Sequence, residues 1–264
     1  MKKILFCLIL CFLSLAKPVW VKEEKEEVSI GNEFFSLHLS KTRGWLADKL
    51  EDKDYGIIFS DFHIYTDWGI YERGYVGSKE EKEGRMRIER GDVAVTAIAE
   101  GELKRKDGKI ADPIDYKVKY KVGKGRELEI EIELTPRAKA RKVSAFLAQI
   151  FTVPSVRQWI VNGLDGILSE NMGNVIGRCW ESKFEPMNLN KPFLIFLRGK
   201  DAVWIERIKC EPQAQNIFLF DGGGGNLVFF LGFLDGDITE LGASLKASYL
   251  LRWGSKGNIR ISGS

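Results

Sequence analysis

Two stretches of the chain mix aromatic rings with carboxylates, an amide and arginines at short spacing. The first runs from Tyr65-Thr-Asp67-Trp68 to Tyr71-Glu72-Arg73. The second gathers Trp159 and Asn162 with Arg178, Trp180 and Glu181. Aromatic faces stack on the apolar faces of sugar rings, while carboxylates, amides and guanidinium groups hydrogen-bond the hydroxyls. On this reading Asp67, Trp68, Tyr71, Arg73, Trp159, Asn162, Arg178, Trp180 and Glu181 are candidate saccharide-binding residues. The same rings would equally fill a core or cover loops, and both readings stay open.

Other chemistries are less well supplied. Proton transfer near neutrality needs groups that titrate there. The sequence holds two histidines, His38 and His63, and an ordinary structural or surface role suits both. Two His and two Cys at these spacings match no zinc-ligand pattern, so no metal and no cofactor is expected. Asp61, Asp67, Glu72 and Glu181 could pair across a glycosidic bond. With 37 acidic residues in the chain, however, some carboxylates meet by accident, and no catalytic residue is assigned. Gly222 to Gly225 lacks both the following Lys-Ser/Thr and the helix of a phosphate loop, so it reads as a hairpin turn.

The chain opens with Met1-Lys2-Lys3, an apolar run from Ile4 to Leu13, and the small residues of Ser14-Leu15-Ala16. This is the pattern of a secretory signal over residues 1–16. The run falls short of the roughly 20 apolar residues of a bilayer span; an uncleaved anchor is the alternative reading. Leu8-Ile9-Leu10-Cys11 lacks the small residues of a lipoprotein site. Cleavage removes Lys2 and Lys3 and takes the formal charge from +3 to +1. Such a balance does not favour nucleic acid or an acidic membrane as partner. The expected location is therefore periplasmic, cell-surface or extracellular, with no membrane span after cleavage. Cys7 and Cys11 leave with the signal. Cys179 and Cys210 remain as a disulfide candidate, with two buried thiols as the alternative.

Positioning falls to β-strands. Ile114 to Leu134 alternates apolar and charged residues strictly on both sides of Gly123-Lys-Gly125. A period of two sends all apolar groups to one face and all charges to the other, so this is a hairpin with one buried and one wet face. Its wet face carries Lys117, Lys119 and Lys121 opposite Glu127, Glu129, Glu131 and Glu133. Val143 to Val153 also fits a helical stripe, but its ending in Phe151-Thr-Val153-Pro154 favours a strand. The last third alternates turns with the strands Phe193–Leu197, Ala202–Ile208, Ile217–Phe220, Leu227–Phe233 and Leu245–Trp253. The pattern predicts an all-β chain: a large antiparallel β-sandwich of about fifteen strands with little helix. Residues 17–27 read as a charged spacer, 28–254 as one domain and 255–264 as a flexible tail.

Four segments resemble the galactose mutarotase-like β-supersandwich, the fold of aldose epimerases and of accessory domains in glycoside hydrolases and polysaccharide lyases. Val28 to Leu50 is similar to that family's opening hairpin, and the 114–134 hairpin with Thr135-Pro136 to its central pair. Phe146 to Pro154, followed by Val156 to Trp159 and Asn162-Gly163, is similar to a strand-Pro-strand-Trp-Gly segment of β-galactosidases. Leu241-Gly242 before Leu245 to Trp253 resembles the closing strand. The resemblance implies a supersandwich that binds an oligo- or polysaccharide in a groove on one sheet. His38 and His63 do not fall in the family's histidine motifs, so epimerase chemistry is not carried over. A glycoside hydrolase, lyase or epimerase using cleft carboxylates is one alternative. A structural or assembly protein of the cell envelope is another.

Overall fold

The computed structural model describes residues 19–67, 76–105, 110–136, 143–161, 164–167, 183–184, 193–211, 216–238 and 244–259. These residues form 19 strands, and among them helix is confined to 3-10 turns of three residues. The first half contributes β1 (Trp20–Glu23), β2 (Glu27–Gly31), β3 (Phe35–Ser40), β4 (Leu46–Asp52), β5 (Gly56–Asp67) and β6 (Val76–Gly77). It continues with β7 (Arg85–Arg90), β8 (Val95–Arg105), β9 (Ile110–Val122) and β10 (Glu127–Pro136). The second half contributes β11 (Val143–Val153), β12 (Gln158–Val161), β13 (Leu164–Ile167), β14 (Lys183–Phe184) and β15 (Phe193–Arg198). Then follow β16 (Asp201–Glu211), β17 (Asn216–Asp221), β18 (Leu227–Ile238) and β19 (Leu245–Ser255).

All strand pairings are antiparallel, and they trace two layers. One runs β1-β2-β3-β4-β5-β11-β18-β17-β14. The other runs β7-β8-β9-β10-β19-β16-β15-β12-β13. The short β6 pairs with β5 on one side and β8 on the other, so it joins the layers. Among the described residues no helix is long and apolar enough to cross a membrane.

The core lies between the layers. Inward residues of β9 and β10 (Val118, Tyr120, Val122, Leu128, Ile130, Ile132) meet those of the facing layer in one apolar cluster. Rings cross the gap: Phe62 against Tyr120, Phe35 against Trp253 and Phe229 against Tyr249. Two of the hydroxyls trapped there are matched, although the Gln149 Nε2 beside one of them has no partner among the described residues. The Tyr249 hydroxyl donates to Gln149 Oε1 at 2.9 Å, and the Tyr116 hydroxyl to the Gly44 carbonyl at 2.8 Å. A buried group without such a partner would cost about 1–3 kcal/mol.

The ends of the domain differ from the sequence expectation. Residues 17–27, read as a spacer, contain β1, which pairs with β2. The reason is local: Val19 and Val21 pack on the core, and the Trp20 indole donates to the Asn32 carbonyl at 3.1 Å. The ring lies over Gly31, where a Cβ would come within 2.7 Å of it. The tail expected from 255 is folded as far as Ile259, which packs on a second cluster of Ile195, Ala202 and Trp204.

Candidate functional site

The outward face of the second layer is built by the alternation of β9 and β10. Lys119 stands opposite Glu131 and Lys121 opposite Glu129, with ion pairs of 2.7 and 2.8 Å. Lys117 is in register with Glu133, yet reaches the other way to Glu100 of β8 at 3.2 Å. Glu133 instead takes Lys246 of β19 at 3.3 Å. The charge ladder therefore spans four strands. Each such half-exposed pair contributes about 0.2–1 kcal/mol.

Three adjoining depressions cross this face. The first, about 410 Å³, lies over the far ends of β8, β9 and β10 and includes Glu81, Lys104 and Tyr116. The second, about 280 Å³, shares Lys117 and Glu133 with it. The third, about 290 Å³, shares Lys209 and Ser248 with the second and ends at Arg207 and Arg252. Sharing walls, the three line up across the face from β8 to β16, and this row is termed the groove.

Its two ends are chemically opposed. At the β8 end the carboxylates of Glu81, Glu83, Glu100, Glu102, Asp115 and Glu133 outnumber Arg85, Lys104 and Lys117. Glu81 is buried and held from several sides. Its oxygens accept from the Glu83 amide at 2.6 Å, the Glu102 amide at 3.1 Å and Lys104 Nζ at 3.1 Å. Gly101 lies against this carboxylate and Tyr116. A Cβ there would come within 2.5 Å of the Tyr116 hydroxyl.

At the β16 end the strand carries a bulge. Glu206 pairs with Leu250 and Lys209 with Ser248, leaving an extra residue on β16. Ile205 and Ile208 are both buried in the core, so Glu206 and Arg207 face outward in succession. Arg207 has φ 57, a left-handed conformation that costs a non-glycine residue about 1–2 kcal/mol. Bulges are frequent where a strand must re-aim a side chain. Arg252 is taken by Glu127 at 2.9 Å and Glu206 at 2.7 Å, and Lys121 by Glu129. Arg207 and Lys209 make no ion pair among the described residues.

The histidines lie on the first layer, away from the groove. His38 Nδ1 is 2.9 Å from Glu27 Oε1 and 3.2 Å from Ser29 Oγ. His63 is buried on β5, with Nδ1 2.7 Å from the Asp61 carbonyl, which can only accept; Nδ1 therefore carries the proton. Burial, with Lys79 and Arg43 nearby, pushes its pKa down to about 2, so the ring is neutral. Asp61, at φ 62, turns its carboxylate toward Arg43 and Lys79.

Of the residues singled out from sequence, Asp67 closes β5 in the first layer, its backbone in register with Phe146. Trp159 is on β12 in the second layer, half-buried and packed against the core. The pairings do not bring these two strands together. Trp68, Tyr71, Arg73, Asn162, Arg178, Trp180 and Glu181 lie outside the described residues. So does Cys179; Cys210 is half-buried on β16 against the core. The groove residues Glu81, Lys104, Arg207, Lys209 and Arg252 were not singled out. The 114–134 alternation marked the face they occupy, and two consecutive charges between Ile205 and Ile208 marked the bulge.

No protein-family model and no curated protein matches the sequence. Solved structures do. Galactose 1-epimerase from Lactobacillus acidophilus matches with TM-score 0.57 and 6% identity over 90% of this chain and 98% of its own. The 4-alpha-glucanotransferase from Thermococcus litoralis matches at 0.46 and 9% identity, over 89% of this chain and 39% of that one. YidC from Thermotoga maritima matches at 0.38 and 9% identity, over 91% and 52%. The fold is galactose mutarotase-like. At such identities the likeness is one of fold, and activity has to be argued from the site.

Proposed function

We propose that the chain is an exported saccharide-binding protein whose ligand lies in the groove across the outer face of the second layer. The observation that carries this reading is the groove itself. It is an extended trough on a broad sheet, walled by side chains already held in place by ion pairs, within a fold shared with a galactose epimerase. Fixed carboxylates and ammonium groups present acceptors and donors to hydroxyls with little ordering cost, which is what a polar, multiply hydroxylated ligand needs. The signal-like residues 1–16 support export. Both histidines of the chain lie on the other layer, so no imidazole serves the groove. Binding rather than imidazole-driven epimerisation is the reading these positions support.

The test is a glycan array on folded protein, repeated with Ser248→Trp. Ser248 stands on the outer face of β19 where two depressions meet, so an indole there fills the trough. The expected result is binding that the substitution abolishes without lowering Tm. An array with no signal above background, or binding that Ser248→Trp leaves unchanged, overturns the proposal.

A further inference from the structure

Resting on the saccharide reading, we infer that the β16 end of the groove is a subsite for a single acidic group on the sugar, a carboxylate or a sulfate ester. Three observations point there. The first is the bulge. Regular alternation would send Arg207 into the core beside Ile205; the extra residue places it outward, next to Glu206. The second is strain: the residue at the left-handed position is an arginine with φ 57, not a glycine, so the chain keeps a guanidinium where glycine would sit more easily. The third is the state of the charges. Lys121 and Arg252 are spoken for by Glu129, Glu127 and Glu206. Arg207 and Lys209, both exposed on the groove, have no ion-pair partner among the described residues.

A guanidinium and an ammonium converging on one depression suit an oxyanion, with the planar fork of Arg207 able to grip two oxygens. The flanking carboxylates limit what else enters. Glu127 and Glu129 remain along the same wall, and the far end of the groove is richer in carboxylates than in cations. A dense polyanion would run onto them. The ligand that fits carries an acidic group at one place on otherwise neutral rings.

The experiment is calorimetric titration with three probes. One is an N-acetylglucosamine-containing hexasaccharide of neutral rings with a single glucuronate. The second is the same hexasaccharide with that carboxylate reduced to an alcohol. The third is that reduced form bearing one sulfate ester. The expected result is that one or both acidic probes bind about tenfold tighter than the reduced one, a charge-assisted hydrogen-bond pair's worth. That advantage disappears in Arg207→Gly, falls in Lys209→Ala, is kept only in part in Arg207→Lys, and shrinks as salt is raised. Arg207→Gly suits the left-handed backbone and keeps the fold; thermal melting checks it, and Lys209→Ala gives a second reading free of backbone change. If the reduced and acidic probes bind equally well in the groove, the acidic subsite is overturned and the saccharide reading stands. An advantage untouched by Arg207→Gly and Lys209→Ala overturns its location. If no probe binds and the glycan array is also empty, the saccharide reading falls and the subsite with it.

Discussion

The two ends of the groove hold charge in different ways. At the β8 end, Glu81 is buried, and two amides and Lys104 occupy its oxygens. At the β16 end, Arg207 and Lys209 stand exposed on a strained bulge, without an ion pair among the described residues. A buried charge whose bonds are all made, such as Glu81, serves the fold, whereas the half-exposed ladder pairs keep donors and acceptors to offer a hydroxyl. A charge held ready without a partner has its interaction energy still to give. On the proposed reading the β8 end serves chiefly stability and the β16 end recognition.

Substitutions can break or sharpen that contrast. The largest effect is expected at Glu81. Glu81→Ala strands two amides and leaves Lys104 with the exposed Glu83 alone, and urea unfolding should show a loss of about 3 kcal/mol. Lys209→Ala should stay within about 0.5 kcal/mol. Equal losses at the two ends would erase the contrast.

Acid titration examines another buried group, on the first layer. His63 is neutral in the fold, with its pKa pushed down to about 2, whereas an unfolded histidine titrates near 6.5. Between those values the unfolded state binds the extra proton, so stability falls as pH falls. The slope is about 1.4 kcal/mol per unit, or about 2 kcal/mol lost by pH 5. Stability measured by urea at pH 7 and pH 5 should show this, and His63→Gln should remove most of it.

A smaller effect, of opposite sign, is expected at the bulge. Arg207→Gly relieves the left-handed strain and should raise stability by about 1 kcal/mol, seen as a higher urea midpoint. A substitution that stabilises while removing ligand affinity is the mark of a residue kept for function. The smallest effect belongs to the exposed ladder. A double-mutant cycle on Lys119 and Glu131 should give a coupling of about 0.5 kcal/mol or less that fades in high salt.

The sequence shows much of this architecture and little of its site. Strict alternation from Ile114 to Leu134 predicts the β9–β10 hairpin, and the structure adds the register that sets Lys119 against Glu131. Val143–Val153, ambiguous by periodicity, is β11, because strands flank it on both sides. What periodicity does not carry is which strands meet. Glu81 and Lys104 are neighbours only because β6 and the turn after it fold back beside β8. Lys209 reaches the groove because β16 pairs with β19 rather than with a sequence neighbour alone. Composition also misleads at the edge: the many charges of residues 17–27 read as a solvated spacer, while Val19, Trp20 and Val21 among them anchor a strand. In the sequence, aromatic-rich segments point to a saccharide site. Of those rings Trp159 packs against the core, and the described groove is lined by charged side chains, most of them paired.

The central claim is that ligand lies on the outer face of the second layer. Mapping backbone amide shifts of isotope-labelled protein on adding a saccharide found by the array tests it most directly. The account predicts shifts concentrated on β10, β16 and β19, with Lys209 and Ser248 among the largest. Shifts gathered on β3, β4 and β5 around His38 and His63, with the second layer silent, would contradict it.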